Sequence, residues 1–444
     1  MPNKKIRTFS LLAIMLALFI AVMASAGCND DEIIGTENWT PPESTPEVSE
    51  TTTETEADPT PTPTPEPTPV PELVQLLDED PVVVEYFGEL PEPQMYTEPA
   101  RNELRALYMG AAANLDTAIS IIRQTEVNSV VIDLKESDGI KYASEVPLAK
   151  EIGVVMPAYN IREVLDKLHA EDVKVIGRIV CFKDPQLAEA KPELSIKDKN
   201  GNQLHFTMEG GKPFVDPYNQ DVWQYNIDIA LEAIELGVDE IQFDYVRFPT
   251  GGTKSGETAW FGEEGHVPTR VQAINRFLQT SAMHIQYERG IPLGADVFGI
   301  VLVSKLDGNN IGQDWDTVGL TGIDNLAPMI YPSHYANSSS NHYTGNGQGT
   351  NLNGIMFPKP DLEPYDVMYQ SLMIGKQATE QEGYAANRPY LQAFTAGYLP
   401  EGYYKRYGAE DIKAQIDAIY DAGYKEWICW NPYAEYPIAA FRAE

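Results

Sequence analysis

The sequence predicts an α/β fold, a (β/α)8 TIM barrel, preceded by a disordered linker that is rich in Pro, Thr and Glu. From residue 101 onward, eight short apolar and β-branched segments alternate with helical patterns, which is typical of βα units on a parallel sheet. The length of 101–444 suits one barrel with insertions. A doubly wound open sheet is the alternative, but such sheets rarely contain eight regular units.

Each predicted strand is a short apolar run that ends at or near polar residues. The eight strands are expected at 105–109, 129–136, 173–182, 240–249, 292–298, 325–332, 390–395 and 426–432. Helices are expected between them at 115–124, 161–170, 216–236, 267–288, 315–318, 365–378 and 411–422. Gly237 marks the end of the long third helix, and Asn200-Gly201 predicts a hairpin turn within an insertion at 191–215.

The first 28 residues have the pattern of a lipoprotein signal peptide. A basic start precedes an apolar core at 11–23, and Ser25-Ala-Gly-Cys28 has the form of a lipobox in which Cys28 is lipidated. An uncleaved N-terminal anchor is the alternative. Either interpretation places the rest of the chain outside the cytoplasm. The lipobox predicts in addition that the protein is lipid-anchored to the cell membrane and exposed at the cell surface, with the N-terminal lipid as its contact to the membrane.

Residues 29–100 form the second predicted region, a disordered spacer. Its Thr, Pro, Glu and Ser residues supply too little apolar surface to fold. A proline-rich ligand for a partner domain is the less favoured alternative. The apolar segment 81–87 is where we expect the chain to begin to pack, and 101–444 is the predicted barrel domain.

Composition excludes several classes of function. With 32 basic and 66 acidic residues the net charge is −34, which argues against a nucleic-acid partner. It also argues against an anionic polymer as the obvious substrate, unless a local basic groove overrides the overall charge. The six histidines form no His-x-His or His-Glu-x-x-His motif, which argues against a zinc hydrolase barrel. The glycine-rich segment at 345–349 follows no predicted strand and opens no helix, which argues against a dinucleotide or phosphate loop. We therefore expect no metal and no cofactor. Cys181 and Cys429 lie in apolar runs and are expected to be buried thiols rather than a disulfide. A monomer is expected.

The segment 240–249 is the most informative part of the chain. Ile241 and Phe243 alternate with Gln242 and Asp244, so one side of this strand carries an amide and an acid. A parallel strand that ends in such residues before a Gly-rich loop is typical of an active-site edge. A structural salt bridge between Asp244 and Arg247 is an equally weighted alternative.

Polar and aromatic residues also follow the other strands, at the end of the barrel where active sites lie. Asp133 and Lys135 are predicted to share one face of the second strand. The predicted substrate-binding residues are Asp133, Lys135, Arg178, Tyr245, Arg247, Tyr331, His334, Trp430 and Asn431. A structural role is as probable as a catalytic one for any single member, so the hypothesis depends on their shared position.

Asp244 and Asp296 are predicted to be the catalytic residues. Glycoside hydrolysis uses two carboxyl groups, one ionised and one that stays protonated until it donates to the leaving oxygen. We expect Lys135, Arg178 or Arg247 to keep Asp244 ionised, and a dry setting near Phe298 to raise the pKa of Asp296. The alternative for Asp296 is a buried acid bonded to backbone amides.

Six motifs resemble, in order, those of the bacterial putative glycosyl hydrolase domain family. They are Val131-Ile-Asp-Leu-Lys135 with Asp138-Gly139, Gly177-Arg-Ile-Val180, Val215-Asp-Pro-Tyr218, Glu240-Ile-Gln-Phe-Asp-Tyr-Val-Arg-Phe-Pro249, Gly294-Ala-Asp-Val-Phe-Gly299 and Met329-Ile-Tyr-Pro-Ser-His-Tyr335. These barrels are distantly similar to the α-amylase and α-galactosidase superfamily. The resemblance implies that Asp244 is the nucleophile at the end of strand four, with Gln242 where amylases have an arginine. Asp296 follows strand five, where the proton donor of amylases is a glutamate instead.

The resulting hypothesis is an extracytoplasmic glycoside hydrolase that cleaves a polysaccharide or oligosaccharide by paired-carboxylate acid/base chemistry. Asp244 would be the nucleophile or charge stabiliser, and Asp296 the general acid/base. Two alternatives remain. One is a surface carbohydrate-binding barrel without catalysis, and the other is a cell-wall accessory lipoprotein.

Overall fold

A computed structural model describes residues 77, 80–93, 95–337 and 345–443 of the chain. The predicted signal peptide, with Cys28 and its lipid, lies outside the described residues, as does the predicted spacer up to residue 76. Within the described part, no helix combines the length and the apolar character that crossing a membrane requires.

The barrel predicted from the sequence is confirmed: among the described residues, eight parallel strands form a closed ring. The strands are β1 Arg105–Gly110, β2 Ser129–Glu136, β3 Lys174–Val180, β4 Glu240–Asp244, β5 Leu293–Phe298, β6 Asn325–Met329, β7 Tyr390–Gln392 and β8 Trp427–Trp430. Each strand pairs with its sequence neighbours, and β1 also pairs with β8, where Leu107 lies opposite Cys429. This last pairing closes the ring and leaves the barrel without an edge.

Helices pack around the ring between successive strands. The main helices are α1 Pro81–Phe87, which precedes the barrel, and then α2 Leu115–Ile122, α3 Ile161–His169, α4 Gln220–Leu236, α5 Arg270–Ser281, α6 Lys305–Ile311, α7 Trp315–Val318, α8 Pro364–Thr379 and α9 Ala409–Asp421. Two further short helices, Pro147–Glu151 and Pro185–Ala190, lie in the connections after β2 and β3. α3 shows why they form: Val164, Leu165 and Leu168 recur at helical spacing and are buried against the sheet.

Two helix boundaries differ from the prediction because capping side chains determine them. α4 was expected from residue 216, but it begins at Gln220 because Asn219 accepts a hydrogen bond from the backbone N–H of Asp221. α5 was expected from residue 267 and begins at Arg270, where Thr269 and Gln272 form a capping box. A π-helical segment, Ala282–Tyr287, continues α5.

The insertion between β3 and α4 lies over the carboxyl end of the barrel and contains the predicted turn. Lys197 and Gln203 bridge across Asn200-Gly201, where Gly201 has φ 83°. Two short antiparallel strands follow, His205–Phe206 and Lys212–Pro213. The backbone between them includes Glu209, which is fully enclosed and contributes to the site described below.

The segment before the barrel is partly folded, which shortens the predicted spacer. α1 buries Val83 and Phe87, and the Phe87 ring lies 4.8 Å from that of Trp223 on α4. The backbone N–H of Thr97 then donates to Tyr287 at 2.6 Å. The spacer was predicted to reach residue 100, but the apolar residues of α1 bury enough surface to hold the described part of 80–100 against the barrel.

Candidate functional site

Side chains from four adjacent strands converge at the carboxyl end of the barrel, as the sequence predicts for a TIM-barrel site. The centre is Arg178 on β3, which is 4% exposed. Its Nη1 donates to Asp133 Oδ1 at 2.6 Å and to Glu136 Oε1. Its Nη2 and Nε donate to Asp244 Oδ2 at 2.6 and 3.0 Å, and its Nε lies 3.9 Å from Asp296 Oδ2. We call these five residues the arginine cluster.

A β-bulge in β2 decides which residues of that strand join the arginine cluster. Opposite β3, Asp133 pairs with Arg178 and Lys135 with Ile179, so the register shifts by one residue between them. The extra residue reverses the side-chain alternation beyond Asp133. Consequently Asp133 and Glu136 both contact Arg178, whereas Lys135 does not.

The prediction that Lys135 shares a face with Asp133 is therefore wrong. Lys135 Nζ pairs with Asp184 Oδ2 at 2.8 Å and donates to Val180 O and Asn226 Oδ1 at 2.6 and 3.1 Å. Asn226 belongs to α4, so these contacts lie between the sheet and the helices. Lys135 is 1% exposed and stabilises the barrel wall rather than meeting a substrate.

Asp244 is fixed on both sides of its carboxyl group. Oδ2 is bound by Arg178, and Oδ1 accepts a hydrogen bond from the backbone N–H of Tyr245 at 2.5 Å. Tyr245 has φ 52°, a left-handed conformation that costs a bulky residue about 1–3 kcal/mol and is concentrated at functional sites. Gln242 binds the Tyr390 hydroxyl at 2.7 Å, so the cation for Asp244 comes from β3 rather than from β4.

Asp296 lies deeper in the barrel than the other three acids of the arginine cluster. Its side chain is 1% exposed, against 8% for Asp133 and 14% for Glu136. Both of its oxygens are buried without a hydrogen-bond partner in the described part of the chain. Burial and the nearby charge of Asp244 raise its pKa well above the usual range, although Arg178 opposes this shift.

The predicted role of Asp296 as general acid does not fit this position. The predicted raised pKa is present, and Asp296 is next to Asp244, since both approach the same Nε of Arg178. However, a proton donor must contact the leaving oxygen, and neither oxygen of Asp296 has an accessible surface. The alternative of bonding to backbone amides is not observed either.

Asp133 combines a raised pKa with a position nearer to the opening. Burial raises its pKa to about 6, with a further contribution from the charge of Glu136, while Arg178 opposes the shift. Its Oδ2 accepts a hydrogen bond from the Tyr108 hydroxyl at 2.6 Å. Asp133 was predicted to bind substrate, and its protonation near pH 6 also suits it to proton transfer.

Aromatic rings from the last three strands form a wall beside the arginine cluster. The ring centroid of Trp430 lies 5.9 Å from those of Tyr108 and Tyr331, and 5.2 Å from that of Phe394. Burial and the charges of Asp296 and Asp244 raise the pKa of Tyr331. The structure therefore brings the predicted residues Tyr331 and Trp430 together next to the acids, and the Tyr331 hydroxyl keeps its proton.

His334 packs behind this wall. Its ring lies 4.9 Å from Tyr331 and 6.4 Å from Phe394, and the residue is 7% exposed. Burial lowers its pKa to about 3, so the imidazole is neutral at physiological pH. It supports Tyr331 sterically, whereas the sequence predicted that it lines the sugar site directly.

Arg247 pairs with an acid that the sequence analysis did not single out. Its Nη1 lies 2.9 Å from Glu209 Oε1, and its guanidinium lies over the rings of Phe298 and Tyr245 at 4.9 and 5.0 Å. Arg247 and Lys183 hold the pKa of Glu209 below its usual value despite burial. The predicted Asp244–Arg247 salt bridge is wrong, because Asp244 pairs with Arg178. With 1% exposure, Arg247 fixes the β4 loop to the insertion rather than orienting a substrate.

An open cleft of about 570 Å³ lies next to the aromatic wall, between the loops after β7 and β8. Phe394 belongs both to the wall and to the cleft. Asn431 lines the cleft, but its amide joins the two loops by donating to Ala393 O at 2.7 Å and accepting from the Tyr433 N–H at 2.8 Å. Tyr433 is 61% exposed at the edge of the cleft.

Three residues of the site were missed by the sequence analysis. Glu136 ends β2 next to a lysine, but only the bulge shows that it faces Arg178. Tyr108 lies inside β1 among apolar residues, where no polar partner signalled its contact to Asp133. Glu209 lies in the insertion, and its pairing with Arg247 depends on tertiary structure alone. The described part of the chain has no group of three or more His, Cys, Asp or Glu side chains arranged for a metal ion.

Residues 104–436 match the family model described as "Putative glycosyl hydrolase domain", which spans all eight strands and the arginine cluster. The chain belongs to this family. Among curated proteins, none matches the chain.

Solved structures similar to this member of the putative glycosyl hydrolase domain family include, by their names, a glycoside hydrolase domain, a hypothetical protein and an α-galactosidase. The PgaB (BpsB) glycoside hydrolase domain from Bordetella bronchiseptica is 11% identical, with a TM-score of 0.52, over 78% of this chain and 95% of that one. A hypothetical protein from Ruminiclostridium thermocellum is 38% identical over 43% of this chain and 97% of that one, with a TM-score of 0.38. TtGalA, an α-galactosidase from Thermus thermophilus, is 11% identical over 77% of this chain and 61% of that one, with a TM-score of 0.44. The first of these likenesses supports the barrel fold.

Proposed function

We propose that this protein is a glycoside hydrolase that uses Asp244 and Asp133 at the carboxyl end of the barrel. One observation carries the proposal: a single guanidinium, that of Arg178, holds an ion-paired carboxylate, Asp244, beside a carboxyl group whose pKa is about 6. Glycosidases need two carboxyl groups in different protonation states, and different environments produce them here.

In the proposed reaction, protonated Asp133 donates its proton to the glycosidic oxygen as the bond from that oxygen to the anomeric carbon breaks. Asp244 stabilises the positive charge that develops on the sugar ring, or bonds to the anomeric carbon. Water then supplies a hydroxyl group to that carbon, and its second proton restores Asp133. Trp430, which is 7% exposed, offers a flat face on which a sugar ring stacks, and Tyr331, which is 1% exposed, packs against Trp430.

The experiment that tests this proposal is hydrolysis of a broad panel of polysaccharides and oligosaccharides by the folded domain and by Asp244→Asn. The domain is expected to release reducing ends from at least one substrate, with the variant at least about 100-fold slower. Glu145→Gln, a change of an exposed acid that pairs with Lys150, is the control. If no glycan is cleaved by correctly folded protein, the proposal fails.

A carbohydrate-binding barrel without catalysis is the second candidate, and the low exposure of the acids favours it. Even the most exposed acid of the arginine cluster, Glu136, has a side chain that is only 14% exposed. This candidate predicts glycan affinity that is the same in wild type and in Asp244→Asn, with no turnover in either. The hydrolase predicts that the variant binds but does not turn over.

We also propose that the domain works outside the cytoplasm, tethered through a lipid on Cys28. The support is the Ser25-Ala-Gly-Cys28 sequence after an apolar core, followed by a Pro/Thr-rich segment. Palmitate labelling and detergent partitioning of the full-length protein are expected to be lost in Cys28→Ala. Labelling that persists in Cys28→Ala, or no labelling of the wild type, would reject the lipid anchor.

A further inference from the structure

The open cleft between the loops after β7 and β8 has the size and lining of a ligand site. Its volume of about 570 Å³ falls within the usual range of about 300–1,000 Å³ for small-molecule sites. Phe394, Tyr398, Tyr407 and Tyr433 contribute aromatic surface to it. Flat aromatic faces with nearby polar groups are suited to sugar rings.

Hydrogen bonds to neighbouring loops fix two of the aromatic side chains that line the cleft. The Tyr398 hydroxyl donates to Ser333 Oγ at 3.0 Å, and the Tyr407 hydroxyl donates to the backbone oxygen of Asp361 at 3.1 Å. Side chains fixed in this way lose little conformational entropy when a ligand binds, which favours affinity. Tyr433 remains exposed at the edge, available to cover a ring.

Arg406 is the cation of this cleft, and its charge is not used within the described part of the chain. No ion pair or hydrogen bond joins the Arg406 guanidinium to another described residue, although it is one of the residues that line the cleft. Its neighbour Lys405, by contrast, pairs with Asp411 Oδ1 at 2.7 Å and is not part of the lining. The difference identifies Arg406 as a donor that is available to a ligand.

The negative charge of the whole protein makes an arginine such as Arg406 important for binding an anionic ligand. A protein with a net charge of −34 repels anionic ligands at long range unless a local cation compensates. The planar guanidinium of arginine matches the geometry of a carboxylate and binds it through two parallel hydrogen bonds. In TIM barrels generally, the loops after strands seven and eight frequently form an anion site.

We propose that this cleft binds a sugar that carries a carboxylate, with Arg406 binding the carboxylate and Tyr433 stacking on the ring. The inference rests on the proposed hydrolase function, because it names the substrate class for that site. Phe394 connects the two places, since it lines the cleft and packs against Trp430 at 5.2 Å. An acidic saccharide would therefore extend from the cleft to the arginine cluster.

The test measures binding rather than turnover, by calorimetry with two matched pairs of ligands. The pairs are tetragalacturonate with its methyl ester, and a cellotetraose oxidised to glucuronate residues with cellotetraose itself. The acidic member of at least one pair is expected to bind at least about tenfold more tightly than the neutral member. Added salt is expected to reduce this preference.

Three variants separate the contributions. Arg406→Gln is expected to abolish the preference for the acidic member and leave the affinity for the neutral member unchanged. Lys405→Gln, which removes the same charge from the adjacent position outside the cleft, is expected to keep the preference. Tyr433→Ala is expected to weaken both members of a pair equally, because stacking does not depend on charge.

Two results would overturn this inference: no preference for the acid in either pair, or a preference that Arg406→Gln leaves intact. Either result is distinguishable from failure of the hydrolase proposal. If neutral glycans are cleaved and acidic ones are not preferred, the hydrolase stands and the acidic substrate class falls. If acidic ligands bind through Arg406 but nothing is cleaved, the substrate class stands and catalysis falls.

Discussion

Two nitrogens of Arg178 donate to the same oxygen of Asp244, Nη2 at 2.6 Å and Nε at 3.0 Å. The arginine lies on β3 and the acid ends β4, so two adjacent strands jointly set the orientation of this carboxylate. Because the arginine also contacts Asp133, Glu136 and Asp296, the charge balance of the whole site depends on one side chain.

Replacement of Arg178 by methionine is expected to destabilise the domain strongly. The change leaves several buried acids without their cation, and removal of one partner from a buried ion pair costs about 3–5 kcal/mol. Urea unfolding at neutral pH measures the loss. Arg178→Lys is the matched control: it keeps the charge but loses the two-pronged contact, and is expected to be less destabilising. Equal stability of Arg178→Met and wild type would contradict the central role of this residue.

The activity proposed for Asp133 has a defined pH dependence. A general acid must be protonated, and the pKa of Asp133 is raised to about 6, so kcat/KM is expected to fall as the pH rises above about 6. Asp133→Asn is expected to be about 100-fold slower or worse and to lose this limb of the profile. Glu136→Gln is the comparison, since Glu136 shares Arg178 Nη1 with Asp133. A limb near pH 6 that persists in Asp133→Asn would assign the proton donor elsewhere.

Asp296→Asn is expected to change the pH dependence of stability. The folded protein holds the Asp296 proton above the pH at which the unfolded chain, with a pKa of about 3.9, releases it. The folded state therefore binds more protons in that interval, and its stability falls by about 1.4 kcal/mol for each pH unit crossed before the raised pKa. Asparagine does not ionise, so the free energy of unfolding of Asp296→Asn is expected to rise relative to that of wild type as the pH rises from 4 to 8.

Urea titrations at pH 4, 6 and 8 measure this effect, and Asp198→Asn is a control whose difference from wild type is expected to stay nearly constant over this range, because Asp198 titrates below it. Hydrogen bonds from Asn202 lower the pKa of Asp198, so its carboxylate stabilises the fold above its unfolded pKa and that contribution is lost as the pH falls. A difference between Asp296→Asn and wild type that does not grow with pH would show that Asp296 is ionised in the folded protein.

Lys135→Met tests the corrected position of Lys135. The variant leaves Asp184 buried without its cation, so the free energy of unfolding is expected to fall by about 3–5 kcal/mol. Affinity for glycans and kcat per folded molecule are expected to stay at the wild-type level, because Lys135 faces α4 rather than the mouth. Lys150→Met, which removes an exposed cation that pairs with Glu145, is the surface control. A selective loss of glycan affinity would restore the predicted substrate role.

The eight strands could be predicted because each is a contiguous apolar run, a signal that local sequence contains. The end of β4 was also predictable, since Asp244 follows Ile241 and Phe243 at strand spacing. The bulge in β2 was not, because one extra residue in the pairing with β3 leaves no mark in composition or periodicity. Because of this bulge, Glu136 rather than Lys135 contacts Arg178 at the site.

The sequence also could not show which arginine pairs with Asp244. Arg178 and Arg247 were both candidates to hold Asp244, and nothing in their local sequence separates them. The insertion decides it: folded over the β4 loop, it places Glu209 against Arg247. That leaves Arg178 to hold Asp244. The depth of Asp296 could not be predicted either. The alternation of residues along a strand predicts that its side chain points into the barrel, but not how far that side chain lies from the mouth.

Helix α1 determines where a pulling force on the preceding chain would act. Gln272 near the start of α5 donates to Asp80 Oδ2 at 3.0 Å, and Gln220 at the start of α4 donates to the backbone oxygen of Phe87 at 3.1 Å. Both helices start at the same end of the barrel as the arginine cluster. A tether attached before residue 80 would therefore transmit a pulling force to the barrel at its mouth end, between the starts of α4 and α5.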